Sequence, residues 1–177
     1  MLMNSIKFNS KSKNGKCLSN FSAHPVEINN IIYLTGEHAF HGQKYRWIST
    51  HSLGERKESL VSYAEKFEGI DSEFSTPQDA KKAGGKKGMK LQPLEMYTWD
   101  SSGSSAVQRL ICKYKLNNYD DIKQTLYEFD HCVFIHQDNR ATERTPWGGK
   151  INKDGVLVGQ NKLGKIWREM WENYKSL

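Results

Sequence analysis

The chain has 177 residues, and a formal net charge of +6, from 26 basic and 20 acidic residues, is compatible with an anionic partner such as a nucleotide, a phosphate ester or nucleic acid. This length predicts one domain over residues 1–177, and a hydrophobic content of 37% is ordinary for a globular protein. The sequence has no apolar run of membrane length and no signal-peptide pattern, which predicts a cytoplasmic protein without a membrane partner. Cys17, Cys112 and Cys132 are odd in number and far apart, which predicts reduced thiols.

The first part of the chain predicts short strands followed by helices. Residues 6–8 form the first expected strand, and residues 26–34 form a small hairpin with Asn29-Asn30 at its tip. Thr35 is the expected N-cap of a helix that reaches Ile48. A second helix is expected over residues 54–68, where apolar side chains recur on one face.

The middle of the chain contains clear helix boundaries. Thr76, Pro77 and Asp79 combine a capping hydroxyl, a first-turn proline and a first-turn acid, and Gly84-Gly85 should end that helix. Apolar periodicity then predicts two helices and a strand, over residues 106–114, 122–129 and 132–135.

The last part of the chain predicts a hairpin and a long helix. The hairpin covers residues 150–158 around the turn signal Asp154-Gly155. Asn161 is the expected cap of the last helix, in which large apolar residues recur at helical spacing: Leu163, Ile166, Trp167, Met170, Trp171 and Tyr174. The order of elements predicts an α+β fold, as one compact helix-rich domain with short strands and hairpins.

The helix from Thr35 to Ile48 carries two charges on its apolar face. Glu37 and Lys44 are seven positions apart, so their directions differ by only about 20°. Charges among aromatic residues are unfavourable unless they are paired, hydrogen-bonded or used in chemistry. Burial would lower the pKa of Lys44 and make its amine more nucleophilic, whereas a nearby Glu37 would oppose that shift. The spacing leaves a structural salt bridge and a catalytic pair equally open.

Residues 81–90 contain five lysines and no acid. Four of them are candidates for phosphate or nucleic-acid contacts: Lys81, Lys82, Lys86 and Lys87. The intervening glycines would let the backbone approach a phosphate, although the order of a P-loop is missing. A solvated basic loop is the alternative interpretation.

Two further groups of residues invite a functional interpretation. Trp147, ahead of Gly148 and Gly149, either presents its ring for stacking on a base or anchors the core. His38 and His41 are three positions apart, whereas the zinc-binding helix motif needs histidines four apart. No metal site is therefore predicted.

Three groups of residues, taken in order, resemble the NADAR (YbiA-like) family. They are Leu18-Ser19-Asn20-Phe21-Ser22, then Glu37-His38-x-Phe40-x-x-x-Lys44, and finally Trp147-Gly148-Gly149 followed by Asp154-Gly155 and Gly159-x-Asn161-x-Leu163-Gly164. Each motif alone is weak, but the ordered set is specific and covers nearly the whole chain. The chain departs from the family in three places: members often carry glutamine where His41 stands, an acid where this chain has Ile135-His136, and arginine in the central basic segment.

The resemblance implies a helix-rich α+β fold and N-glycosidase activity without a cofactor. It makes Glu37 and Lys44 catalytic and places seven residues at substrate-binding positions: Asn20, Phe21, His38, Trp147, Gly148, Gly149 and Asn161. Members of the family act on two substrate groups. Some hydrolyse phosphoribosylamino-pyrimidine intermediates of riboflavin synthesis, and others remove ADP-ribose from modified guanine in nucleic acid, reversing a toxin's mark as an antitoxin does.

The expected function is removal of ADP-ribose from ADP-ribosylated guanine, with single-stranded nucleic acid as the partner, because the lysine segment suits a polyanion. The alternatives are hydrolysis of the riboflavin intermediates and non-catalytic binding of ADP-ribose or nucleotides. The chemistry also has two versions: Lys44 forms a Schiff base with the sugar, or Glu37 activates water while Lys44 holds phosphate or hydroxyl groups.

Overall fold

The computed structural model describes residues 4–176. Its chain divides into two units. One comprises Ala23–Tyr114, and the other is built from the segments before and after it. Among the described residues, no helix combines the length and the apolar character needed to cross a membrane.

The unit Ala23–Tyr114 begins with a hairpin. The hairpin consists of β2 (Val26–Ile28) and β3 (Ile31–Tyr33), whereas the first strand of the chain, β1 (Ser5–Phe8), belongs to the other unit. They pair antiparallel, with Val26 opposite Tyr33. Asn29 and Asn30 have φ angles of 53° and 62°, the left-handed conformation that a two-residue hairpin turn requires and asparagine tolerates. The predicted hairpin is confirmed.

Three helices follow and pack around the first of them. They are α1 (Gly36–Ser49), α2 (Gly54–Glu65) and α3 (Pro77–Gly84), and α1 contacts both α2 and α3. The expected caps are present, because the hydroxyls of Thr35 and Thr76 accept hydrogen bonds from the backbone N–H groups of His38 and Asp79. The core of this unit includes Val26, Tyr33, Ala39, Tyr45, Ile48, Leu60, Ala64, Phe67, Ala80, Trp99, Val107 and Ile111.

Two turns of helix in this unit lie outside the sequence prediction. Helix α4 (Pro93–Thr98) leads into a π-helical turn, Trp99–Gly103, and then into α5 (Ser104–Asn118). The run of serine and glycine after Asp100 has low helix propensity, so periodicity gives no signal there. Burial of the Trp99 ring, whose centroid lies 5.2 Å from that of Phe40, supplies the stabilisation that local propensity lacks.

The other unit pairs the two ends of the chain. Strand β1 runs parallel to β4 (Val133–His136), with Ser5 opposite Val133. A hairpin is formed by β5 (Lys150–Ile151) and β6 (Leu157–Val158), and Gly155 takes a φ of 76° at its turn. Two helices complete the unit, α6 (Asp120–Glu128) and α7 (Lys162–Lys175).

The structure confirms the predicted helix-rich α+β fold with short strands and hairpins. The predicted strand at residues 6–8 and the apolar run at residues 132–135 are the two partners of the parallel pair, a pairing that the sequence alone did not predict. Cys17, Cys112 and Cys132 are buried free thiols, as expected.

Candidate active site

Helix α1 holds three ionisable side chains on its buried face. Glu37, His41 and Lys44 are four and three positions apart and so lie within about 60° of one another around the helix axis. Glu37 is 8% exposed and Lys44 is 6% exposed. The prediction that both charges belong to the inner face is confirmed.

Glu37 and Lys44 have separate partners. The Oε1 atom of Glu37 lies 3.2 Å from Nε2 of His41, and the Lys44 ammonium group donates a hydrogen bond to the carbonyl oxygen of Gly84, the last residue of α3. Within residues 4–176 no ion pair joins Glu37 to Lys44. The interpretation of Glu37 and Lys44 as a structural salt bridge is therefore wrong, because each group has a different hydrogen-bond partner.

Burial dominates the ionisation of Lys44. Desolvation lowers the pKa of its amine from 10.5 to about 8, and the charge of Asp100 on the π-helical turn opposes that shift. The expectation that Glu37 would supply the opposing charge is thus corrected in favour of Asp100, a residue with no signal in the sequence. With a pKa near 8, about a tenth of the amine is neutral at pH 7 and available as a nucleophile.

His38 is fully buried and has a partner for each ring nitrogen. Its Nδ1 lies 2.8 Å from the hydroxyl of Thr35, and its Nε2 lies 2.8 Å from the carbonyl oxygen of Phe74. Burial lowers the pKa of this imidazole, while the contact with Phe74 opposes the shift. These contacts tie the start of α1 to the segment before α3, so we assign His38 a structural role instead of the predicted contact with substrate.

The basic segment is exposed, as a solvated loop would be. Lys81 and Lys82 lie on the last turn of α3, and Lys86 and Lys87 follow it. Lys82 also contacts Asp79 at 3.5 Å. Gly84, between the two lysine pairs, is buried, and a Cβ atom there would lie 2.0 Å from the ring of His41. This glycine therefore allows α3 to pack closely against α1, which differs from the predicted role of letting the backbone approach a phosphate.

In the other unit, Asn161 has a different role from the one predicted. It occupies the N-cap position of α7 with a φ of 50°, but its side chain makes no capping hydrogen bond. Instead its Oδ1 accepts from the His136 N–H at 3.0 Å, and its Nδ2 donates to the Phe134 carbonyl at 2.8 Å. The first N–H groups of α7 bond to the carbonyls of Pro146 and Trp147, which removes the need for a side-chain cap.

Those contacts fix the loop that contains Trp147, Gly148 and Gly149. Gly149 exchanges backbone hydrogen bonds with His136 and Asp138 at 2.9 and 3.0 Å. A Cβ atom at Gly148 would lie 2.9 Å from the His136 carbonyl oxygen, so only glycine fits. The Trp147 ring is half-buried, with the Lys162 ammonium 5.8 Å from its centroid, whereas Trp167 is the fully buried anchor of this unit. Trp147 is therefore only partly buried, unlike Trp167, and both interpretations of its ring stay predictions.

Asn20 and Phe21 are half-buried and lie on a segment that a buried lysine holds in place. Lys115, only 1% exposed, donates to the carbonyls of Cys17 and Ser19 at 2.6 and 3.0 Å and to the hydroxyl of Ser22 at 2.9 Å. The Trp167 indole donates to the Leu18 carbonyl at 2.9 Å. The sequence gives no sign of this role, because nothing in the local pattern around Lys115 distinguishes it from a surface lysine.

The part of the chain that the structure describes contains no group of three His, Cys, Asp or Glu side chains placed to hold a metal ion. The reactive groups of this site lie on α1. They are the Glu37 carboxyl group, which contacts the His41 imidazole, and the desolvated Lys44 amine on the same face. A carboxyl group can exchange protons with a substrate, and an amine can attack an electrophilic carbon.

The chain resembles a known protein in its structure but matches none by sequence. No protein-family model and no curated protein sequence matches the chain. A solved structure that does resemble it is the NMR structure of the Escherichia coli protein YbiA, with a TM-score of 0.64 over 99% of this chain and 88% of that one. The chain has the YbiA fold. Its identity to YbiA is 22%, so the likeness concerns the fold, and the activity has to be argued from the residues.

Proposed function

We propose that the protein is an N-glycosidase that cleaves the bond between C1 of a ribose and a base amine. The observation that carries the proposal is the desolvated Lys44 amine, with a pKa of about 8, on the same buried helix face as the Glu37 carboxyl group. The YbiA-like fold and the ordered motifs shared with the NADAR family support the same assignment.

In the covalent version of the reaction, Glu37 donates a proton to the ribose ring oxygen while the lone pair of the glycosidic nitrogen opens the ring. This gives an imine at C1. The neutral Lys44 amine then adds to C1 and expels the base as its free amine, and Lys44 is left as a Schiff base with the sugar. Water adds to that carbon with Glu37 accepting its proton, which gives a carbinolamine. The carbinolamine then breaks its C–N bond as its hydroxyl proton passes to the nitrogen, which releases the sugar as an aldehyde and the lysine as a free amine.

In the direct version, C1 takes on oxocarbenium character as the base leaves, and Glu37 removes a proton from the attacking water. Lys44 then stays a cation and holds phosphate or hydroxyl groups of the substrate. Neither version requires a metal or another cofactor. Borohydride reduction during turnover distinguishes the two versions, since it converts a Schiff base on Lys44 into a stable adduct with the mass of the sugar.

The proposed substrate is ADP-ribosylated guanine in single-stranded nucleic acid. The exposed lysines around Gly84 support this choice, because phosphate contacts by lysine contribute sequence-independent affinity. Hydrolysis of a phosphoribosylamino-pyrimidine intermediate is the second candidate, and it needs the same chemistry at C1. A non-catalytic binder of ADP-ribose is the third, favoured by His136 in place of an acid before Trp147.

The test incubates the protein separately with single-stranded DNA that carries ADP-ribosylated guanine and with the pyrimidine intermediate. Release of ADP-ribose from the DNA supports the leading substrate. If only the pyrimidine intermediate is cleaved, with release of phosphoribose, the riboflavin intermediate is the substrate instead. Glu37→Gln should abolish release, whereas Glu58→Gln, an exposed acid on α2, should leave it unchanged. Binding of ADP-ribose with no release from either substrate would make the protein a binder and refute the enzyme.

A further inference from the structure

Glu37 has one oxygen occupied and one available. Its Oε1 atom contacts His41 Nε2 at 3.2 Å, one helical turn away, and both side chains are 11% exposed. The Oε2 atom has no hydrogen-bond partner among the described residues, and it reaches solvent. The histidine thus distinguishes two oxygens that would otherwise be equivalent.

The His41 ring is fixed by its packing. Its centroid lies 5.4 Å from the ring of Phe40, in an edge-on arrangement, and 6.3 Å from that of Phe67. On a further side it meets the backbone of Gly84, where a Cβ atom would lie 2.0 Å from its Cγ and Nδ1 atoms. The ring therefore occupies space that α3 provides by having glycine at this position.

A purely structural explanation of His41 leaves one atom unexplained. Its Nδ1 atom is buried and has no hydrogen-bond partner among the residues that the structure describes. An unsatisfied buried polar atom is unfavourable by about 1–3 kcal/mol, so a residue selected for packing alone would carry no nitrogen there. The nitrogen that does have a partner is Nε2, and that partner is the Glu37 carboxyl group.

We propose that His41 is a positioning residue for Glu37: its Nε2–H group donates to Oε1, fixes the carboxyl group, and leaves Oε2 as the oxygen that exchanges protons with the substrate. This inference rests on the proposed function. In the covalent version, the proton leaves Oε2 for the ribose ring oxygen and returns to Oε2 from the attacking water. The Nε2–H bond persists in both halves, and it stabilises the carboxylate that forms between them.

The kinetic test replaces His41 with a donor and with a non-donor. His41→Gln keeps an N–H group within reach of Oε1 and should retain kcat within about threefold of the wild-type value, whereas His41→Leu should lower kcat about tenfold or more with KM changed less than about twofold. His51→Gln, the same change at an exposed histidine just after α1, is the control and should have no effect. Full kcat in a folded His41→Leu protein would overturn the proposal, as would a KM effect without a kcat effect.

A second measurement does not depend on activity. Nitrogen-15 NMR of the His41 ring, at a pH where the imidazole is neutral, should show the proton on Nε2. A proton on Nδ1 would overturn the positioning role even if the enzyme is active. If the wild-type protein cleaves neither substrate and His41 still carries its proton on Nε2, the failure belongs to the proposed function and the Glu37–His41 contact stands.

Discussion

Replacing Lys44 by methionine should make the protein more stable while removing its activity. In the folded protein the pKa of Lys44 is about 8, against 10.5 in the unfolded chain, because burial disfavours the charged amine. That difference corresponds to about 3 kcal/mol of destabilisation wherever both states are protonated, below pH 8. Methionine removes this penalty but leaves the Gly84 carbonyl without its donor, a loss of about 1–2 kcal/mol. The expected net gain at pH 7 is about 1–2 kcal/mol.

The pH dependence gives this prediction its sign. Between pH 8 and 10.5 the unfolded lysine keeps its proton while the folded one has lost it, so wild-type stability relative to Lys44→Met should rise with pH. Urea unfolding of both proteins at pH 6, 7, 8, 9 and 10 measures the difference, and Lys113→Met, at an exposed lysine of α5, controls for loss of charge. A Lys44→Met protein that is less stable at pH 7 by a constant amount at every pH would refute the desolvation argument.

Three further predictions follow from individual contacts. If Lys44 is the nucleophile, kcat should rise with pH and level off above about 8, because only the neutral amine reacts. If Lys44 only holds phosphate, substrate binding should weaken over the same range. Profiles of kcat and KM from pH 6 to 9.5 distinguish the two roles. Gly84→Ala should displace the His41 ring and lower the free energy of unfolding by about 2 kcal/mol or more, and the exposed neighbour Gly85→Ala should have a smaller effect; equal effects would contradict the packing argument. Lys115→Met should remove the ammonium donor from the Cys17 and Ser19 carbonyls and the Ser22 hydroxyl, which leaves those carbonyls only their hydrogen bonds from Ser22. We expect a destabilisation of about 3 kcal/mol in urea unfolding, and a neutral result would show that the buried amine is dispensable for the Cys17–Ser22 segment.

Much of the fold could be predicted from short sequence patterns. Thr35 and Thr76 predict the starts of two helices, and Asn29-Asn30 predicts a turn. The spacing of Glu37 and Lys44 predicts that both lie on one face of α1. Each of these depends on neighbours within a few residues. For the same reason, the burial of both charges was accessible from periodicity alone.

The contacts that give the candidate site its chemistry are not local. The charge of Asp100 raises the pKa of Lys44, although the two residues are far apart in the sequence. The Gly84 carbonyl that accepts a hydrogen bond from Lys44 belongs to another helix. The parallel pairing of β1 with β4 likewise depends on residues that are distant in the sequence, such as Ser5 and Val133. His41 is the exception, since its position four residues after Glu37 is a local signal that points to a contact.

The most direct test of the central claim is release of ADP-ribose from single-stranded DNA that carries ADP-ribosylated guanine, measured by chromatography for the wild-type, Glu37→Gln and Glu58→Gln proteins side by side. The account predicts release by the wild-type and Glu58→Gln proteins at the same rate, and none by Glu37→Gln. Equal release by all three proteins would contradict the assignment of the reaction to the buried face of α1.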